Sequence, residues 1–413
     1  MSLAPTGLFR YPIVQAPMAG GASRPELAAA VSEAGGLGFL AAGYKAADAV
    51  RQEIDGVRRL TSRPFGVNLF MPQPPTADRA AVGAYRDRLA GEAARYGTPL
   101  GDPDGSRDDA YEAKMAVLAE KSVPVVSFTF GCPAPEVLAA LASAGTVTVV
   151  TVTSVEEARA AEEAGAAVLC VQGAEAGGHQ GTHRDAPAPG PSATPLAALL
   201  PQVRDGVRLP LIAAGGLMRG GDVAAVLAAG ASAAQLGTAF LACPESGAHP
   251  LHKQALTDPR FARTELTRAF SGRPARGLVN RFLHEHGPHA PAAYPDVHHL
   301  TSGLRRAAAA AGDPEGMALW AGQGHRLARP LPAAELVRTL AAELDAARTG
   351  PGGHSAAGPP RGTRPPPRGP REVPGDRSRL RRRLPRRRPT RHHGDPRRPG
   401  GTPRRLRPPP DAR

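Results

Sequence analysis

Cysteine is scarce in this 413-residue chain. The three present, Cys132, Cys170 and Cys243, are far apart and form no CxxC pair. That argues against a disulfide framework or a cysteine-based zinc site and suits reduced thiols in a cytoplasmic protein. No stretch of about 18 uninterrupted apolar residues occurs, so no membrane-spanning helix is expected. The opening MSLAPTGLFRYP lacks the apolar core of a signal peptide. Several catalytic signatures are missing as well: there is no GxSxG elbow, no Walker loop and no Cys–His nucleophile context. Residues 36–41, GLGFLA, spell GxGxxA but follow a helical stretch and run into a strand, the wrong context for a dinucleotide site. The late histidines His284, His286, His298 and His299 have HEH and HH spacings that fit no zinc pattern. They read as surface residues, and no metal site is expected.

Positive charge is abundant but confined. Residues 351–413 hold 19 Arg, no Lys and 4 acidic residues, a net of +15 against +14 for the whole chain, so residues 1–350 carry about −1. The basic character therefore belongs to a tail of Arg, Pro and Gly. A segment with so little apolar surface cannot offset its ordering entropy, and disorder is expected there. Such a tail could contact nucleic-acid phosphates nonspecifically, but it lacks interleaved aromatics and any folded motif, so nucleic acid is not the expected partner.

The body alternates short apolar runs with helical stretches. Eight runs read as buried parallel strands: residues 13–18, 37–42, 65–70, 125–130, 146–152, 167–172, 210–214 and 233–236. A pattern of helix, Ala-Gly, strand recurs in SEAGGLGFL, ASAGTVTVV, EEAGAAVLC and LAAGASAAQLG, with Gly stopping each helix just before a strand. Repeated βα units imply a parallel sheet, and eight of them favour a closed (β/α)8 TIM barrel. The division expected is a barrel over residues 1–243, a mainly helical C-terminal subdomain over 244–350, ending in an amphipathic helix near 333–348, and the tail over 351–413. Two long connections, 71–122 and 173–209, fall at strand C-terminal ends, where barrel enzymes carry their chemistry.

Glycines follow the last two strands, as Gly215-Gly216 and as Gln235-Leu236-Gly237-Thr238. Either loop alone is ordinary punctuation. Together, at the two places where barrels hold phosphate, they point to a phosphate-bearing ligand. Gln15 ends the first strand and leads into Ala16, Pro17, Met18 and Ala19, small or soft residues against which a flat ring can lie. Asn68 and Gln172 are amides at or near the ends of the third and sixth strands. Polar groups in buried runs must be hydrogen-bonded, either within the fold or to a heteroaromatic ligand such as an isoalloxazine. The sharpest segment is Gln172 to Gly181, QGAEAGGHQG, in which Gly177, Gly178 and Gly181 flank His179 and present its imidazole on a turn after the sixth strand. A histidine so placed suits proton transfer.

In this order the motifs resemble the nitronate monooxygenase family: PIVQAPMAGG, AAAVSEAGGLGFLAAGY, GVNLF, VSFTFGCP, VQGAEAGGHQG, LIAAGGL, AQLGTAFLACPES, TRAFSGRPARGLVN and LWAGQG, across about residues 11–342. The FSGR and WAGQ segments resemble the subgroup that does not use NAD(P)H. The resemblance implies noncovalent FMN as cofactor. It implies alkyl nitronates, and nitroalkanes, as substrates oxidised by O2 to carbonyl compounds and nitrite. It places His179 at the family's catalytic histidine, acting as base. It also puts flavin contacts at Gln15, Ala16, Pro17, Met18, Ala19, Asn68, Gln172, Gly177, Gly215, Gly216, Gln235, Leu236, Gly237 and Thr238. Gln180 stands where Arg is expected in many relatives. Roles for Arg273, Tyr294 and Gln323 do not follow from the sequence, nor does an oligomeric state. The rival readings are an NAD(P)H-dependent FMN quinone or enoyl-thioester reductase, which shares the flavin motifs, and a nucleic-acid-binding protein acting through the tail.

Overall fold

A computed structural model describes residues 7–75, 78–185 and 194–349. The 351–413 tail lies outside the described residues, and so do the expectations attached to it. Eleven strands are described. They are β1 (Ile13–Gln15), β2 (Gly38–Ala41), β3 (Phe65–Phe70), β4 (Val125–Thr129), β5 (Val147–Val152), β6 (Val168–Gln172), β7 (Gly178–His179), β8 (Leu211–Ala214), β9 (Ala233–Leu236), β10 (Thr264–Thr267) and β11 (Ala275–Leu278). Eight of them make one parallel sheet in the order β1-β9-β8-β6-β5-β4-β3-β2. The ends of that order meet. Leu37 N–H donates to the Ile13 carbonyl at 3.0 Å and Gln15 N–H to the Leu37 carbonyl at 2.9 Å, which closes the barrel between β1 and β2. All eight strands expected from the sequence are present, within a few residues at their ends.

Alternation along each strand divides two cores. Leu169, Val171, Leu211 and Ala213 face the surrounding helices. Val168, Cys170, Ile212, Ala214 and Ala233 fill the barrel interior with Val14, Phe39, Val125 and Val149. One step further along the same inward phase, at the C-terminal ends, the side chains are small or polar: Ala16, Asn68, Thr129, Thr151, Gln172 and Gln235. The interior therefore stops being apolar and solid at that end, and a cavity opens there.

The packing departs from the simple sequence division in two places. Helices Arg79–Arg88 and Ala90–Tyr96 lie in the long β3–β4 connection; Val82 and Tyr85 of the first, and Leu89 between the two, join an apolar cluster with Phe270, Phe282, Val297, Leu300 and Leu304. This third core, outside the barrel, is thus shared between an insertion and the C-terminal segment. The last described helix, Ala333–Thr349, packs on helices Pro25–Glu33 and Gly220–Ala228, where it serves as the barrel's eighth helix after the chain's excursion. The C-terminal part is mainly helical, as expected, but it also contributes β10 and β11, which the sequence reading missed. With β7 they form a three-stranded antiparallel sheet. No described helix is long and apolar enough to cross a membrane.

Candidate active site

The cavity at the barrel's C-terminal end has a volume of about 580 Å³. Ala16, Pro17, Met18, Ala19, Asn68, Gln172, Gly177, His179, Gly215, Gly216, Gln235, Gly237 and Thr238 all line it. The fold thus brings together nearly every residue singled out in the sequence. Gln15 and Leu236 stand apart. Gln15 is fully buried off the cavity wall, and its amide is spent on the fold: Oε1 accepts from Phe39 N–H at 2.9 Å, and Nε2 donates to Ser23 Oγ at 3.0 Å and to the Ala16 carbonyl. Leu236 packs into the apolar layer beneath the helices. Asn68 Nδ2 donates to Ser127 Oγ at 2.9 Å and Thr129 Oγ1 at 3.0 Å.

His179 sits on β7, and three contacts fix it. Its backbone pairs with Ala275 of β11, and the next residue, Gln180, donates its N–H to the Pro274 carbonyl at 2.8 Å. Gln172 spans the loop: Oε1 accepts from Gly181 N–H at 2.7 Å and Nε2 donates to the His179 carbonyl at 3.1 Å. The imidazole Nε2 lies 2.8 Å from Ser271 Oγ. Aromatic rings surround it, with centroids at 5.7 Å for Phe130, 5.9 Å for Tyr294 and 5.5 Å for Trp320. Burial, then the cations of Arg273 and Arg305, push its pKa down to about 3, so at neutral pH the ring is uncharged.

The Trp320–Gln323 segment bridges the loops after β6 and β9. Gly322 N–H donates to Thr238 Oγ1 at 2.9 Å and Gln323 N–H to the Glu175 carbonyl at 3.0 Å. Glu175 in turn accepts from Leu196 N–H at 2.9 Å, tying the β6 loop to the following helix.

Sequence reasoning missed the far wall of the cavity: Tyr44, Phe70, Phe130, His252, His298, Arg305 and Trp320. Two of them carried no letter-level signal. Tyr44 and Phe130, beyond the ends of β2 and β4, hold left-handed backbones with φ of 66° and 75°, a strain that non-glycine residues keep mainly where the surroundings enforce it. His298 is a correction to the surface reading: it stacks on Tyr44 at 4.0 Å, and Arg305 lies 3.1 Å from its Nδ1. His286 is also buried, 3.3 Å from Glu92. The surface reading failed because the periodicity of the 296–310 helix does not reveal which polar face another body covers. Arg273 is fully buried, stacks at 4.1 Å on Phe130, and donates to Gln73 Oε1 at 2.8 Å and to the Thr182 carbonyl. Tyr294 Oη meets Tyr44 Oη at 3.3 Å.

The electrostatic character of the cavity is one-sided. Two arginines and four histidines line it, and no Asp or Glu is among the lining residues. Arg305 has no carboxylate partner among the described residues, and burial pushes it down to about 10. The nitronate monooxygenase family model matches residues 4–343. The chain belongs to the nitronate monooxygenase family. It is 45% identical over 345 residues to a nitronate monooxygenase of Pseudomonas aeruginosa, covering 81% of this chain and 97% of that protein. To one from Paraburkholderia phytofirmans it is 42% identical over 343 residues, covering 81% and 92%. Among solved structures, a nitroalkane oxidase from Streptomyces ansochromogenes shares 68% identity with a TM-score of 0.82, covering 84% of this chain and 99% of that one. FabK from Thermotoga maritima shares 29% identity with a TM-score of 0.64, covering 84% and 96%.

In this member of the nitronate monooxygenase family, the histidine-rich wall makes stability depend on pH. Burial is the largest cause in each case that holds His179 to about 3, His252 to about 4 and His298 to about 2, all below the ordinary 6.5. Below pH 6.5 the unfolded chain then binds protons that the native state refuses. Stability should fall as pH falls from about 6.5 towards 4, by at most about 1.4 kcal/mol per pH unit for each such histidine. Thermal melts of flavin-saturated protein should show this slope, and His252→Gln should reduce it. A flat profile between pH 6.5 and 5 would contradict the assignment of these rings as neutral.

Proposed function

We propose that this protein uses noncovalent FMN and O2 to oxidise nitronates, and nitroalkanes by way of their nitronates, to carbonyl compounds and nitrite. The observation that carries the reading is a neutral imidazole, His179, opening into a cavity whose walls hold cations and no carboxylate. The residues present fit FMN. Gly215 and Gly216 have φ of 128° and 71°, a turn that glycine adopts freely, and a Cβ on Gly215 would lie 3.2 Å from the Gly173 carbonyl. These two residues, with Gly237 and Thr238, form the phosphate cradle. Ala16–Ala19, Asn68, Gln172, Gly177 and Gln235 form the wall for the ring system. When bound, FMN supplies electron acceptance and the reaction with O2.

The chain's own residues do the rest. His179 takes the α-proton of a neutral nitroalkane. The guanidinium of Arg305 and the buried charge of Arg273 favour the anion that results, and that anion in turn offsets the repulsion these cations exert on the imidazolium formed with it. Phe130, Tyr294 and Trp320 keep water from the reacting carbon. The 68% identical relative is described as a nitroalkane oxidase, which favours a role for proton abstraction here as well.

Purified protein should be yellow and should release FMN, not FAD, on denaturation, because the paired glycine loops suit one phosphate. It should release nitrite from nitronates in air. Absorption spectra, chromatography of the released flavin and a nitrite assay check this. Colourless protein that ignores added FMN would defeat the reading, and rapid anaerobic bleaching by NADPH would turn it towards a reductase.

A further inference from the structure

We infer that Ser271 fixes the tautomer of His179: its hydroxyl oxygen accepts the Nε2–H of the neutral ring, which leaves the Nδ1 lone pair as the proton-accepting atom. The inference rests on the reading of His179 as the base and adds which atom acts and what holds it ready.

A count of protons carries the argument. A serine hydroxyl has one proton and two lone pairs. Ser271 Oγ lies 2.8 Å from His179 Nε2, 3.3 Å from the Arg273 carbonyl and 3.4 Å from Arg273 N–H. Among the described residues, Ser271 is the one donor to that carbonyl, and Arg273 and Ser271 are both buried. A buried carbonyl left without a donor costs about 1–3 kcal/mol, so the hydroxyl proton goes there. The oxygen then has lone pairs left for two donors, the N–H of Arg273 and the Nε2–H of His179, and every group is satisfied. In the other tautomer Nε2 would compete with the carbonyl for the single hydroxyl proton. Its Nδ1–H would also find no acceptor on the protein, because no described residue hydrogen-bonds to Nδ1 and the neighbouring rings are Phe130, Tyr294 and Trp320.

The arrangement is a positioning device of the kind in which a third group orients a histidine base, with a hydroxyl in place of a carboxylate. The difference matters. A carboxylate behind the ring would favour imidazolium, whereas Ser271 orients it and leaves it uncharged. The same short segment places the backbone too. Pro274 accepts from Gln180, Ala275 pairs with His179, and the Arg273 guanidinium anchors the turn on Gln73, Thr182 and the Phe130 ring.

The test is spectroscopic first. In full-length, flavin-loaded protein with 15N-labelled histidine, the His179 signals are assigned by their loss in His179→Asn. The wild type should show Nε2 protonated and Nδ1 bare, and Ser271→Ala should show a mixture of tautomers. In Ser271→Ala, turnover of a neutral nitroalkane should drop about tenfold, the size of one lost hydrogen bond. Oxidation of the preformed nitronate should stay within about twofold, since that proton is already gone. Ser271→Thr should restore most of the loss. An Nδ1-protonated ring in the wild type, or an unchanged tautomer in Ser271→Ala, would overturn the inference. The wild-type spectrum decides even where the alanine variant does not accumulate. The tautomer is read without substrate, so this outcome is separate from whether His179 proves to be the base.

Discussion

Replacing His179 with Asn should lower turnover of neutral nitroalkanes by about 10²-fold or more, the usual size of a general-base contribution, while oxidation of preformed nitronates falls far less. Asn keeps much of the size and can still meet Ser271, but it offers no base near neutral pH. A preformed nitronate has already lost its α-proton, so it bypasses the step proposed for His179. FMN content should not change, because the proposed phosphate cradle at Gly215–Gly216 and Gly237–Thr238 lies on other loops. Steady-state nitrite release from each substrate form, at matched flavin content, makes the comparison. Equal losses on both would assign His179 to anion binding or electron transfer. No loss on either would remove it from the active site.

The low pKa of His179 sharpens this expectation. With the ring held to about 3 by burial and by Arg273 and Arg305, its neutral form prevails at pH values well above 3. Turnover of neutral nitroalkanes should therefore show no acid limb near 6.5 that belongs to this residue.

The barrel was legible in the sequence for a physical reason. Strands buried on both faces must be short and apolar, and each helix must stop before the next strand, so Gly35, Gly145, Gly165 and Gly230 mark the repeats. All four have positive φ in the structure. The glycine loops and the His179 turn were legible for a related reason, since close backbone approach needs glycine. What stayed hidden depends on contacts between distant segments. β10 and β11 are short, and β10 is partly exposed, so neither shows a strong strand pattern. They exist because the β6 loop gives β11 a partner in β7. Ser271 looked like any serine beside a glycine, and only the antiparallel pairing of Ala275 with His179 brings it to the imidazole. Arg305 sits on a helix whose polar face reads as solvated until the barrel mouth covers it. The eighth barrel helix, 333–349, was recognised as amphipathic, but its partners lie more than 100 residues away and cannot be read from periodicity.

Gly177→Ala should cost activity on both substrate forms, by about 10²-fold, together with roughly 1–3 kcal/mol of stability from overpacking. A Cβ at residue 177 would lie 2.5 Å from Gly322 N and 2.6 Å from the Ala321 carbonyl carbon, both backbone atoms. That backbone cannot move aside cheaply. Ala321 N–H donates to the Arg276 carbonyl at 3.3 Å, Gly322 N–H to Thr238 Oγ1 and Gln323 N–H to the Glu175 carbonyl. Either those three bonds break or the β6 loop lifts by about 1 Å, a displacement that itself costs catalysis about 10²-fold when it carries a reacting group. His179 is two residues along the same loop, and Gly177 itself lines the cavity, so flavin retention should weaken too. Unlike His179→Asn, the change should not spare the preformed nitronate, because Gly177 is itself part of the cavity wall and its displacement disturbs the flavin site as well as His179. Gly221→Ala, in an open helical position with nothing within 4 Å of the new methyl group, is the matched control and should leave turnover unchanged, with melting the same or slightly raised by the better helix former. Kinetics on both substrate forms, bound-flavin content and thermal melts make the comparison. A Gly177→Ala protein within twofold of wild type in all three would show that the 320–323 segment does not hold the β6 loop in place.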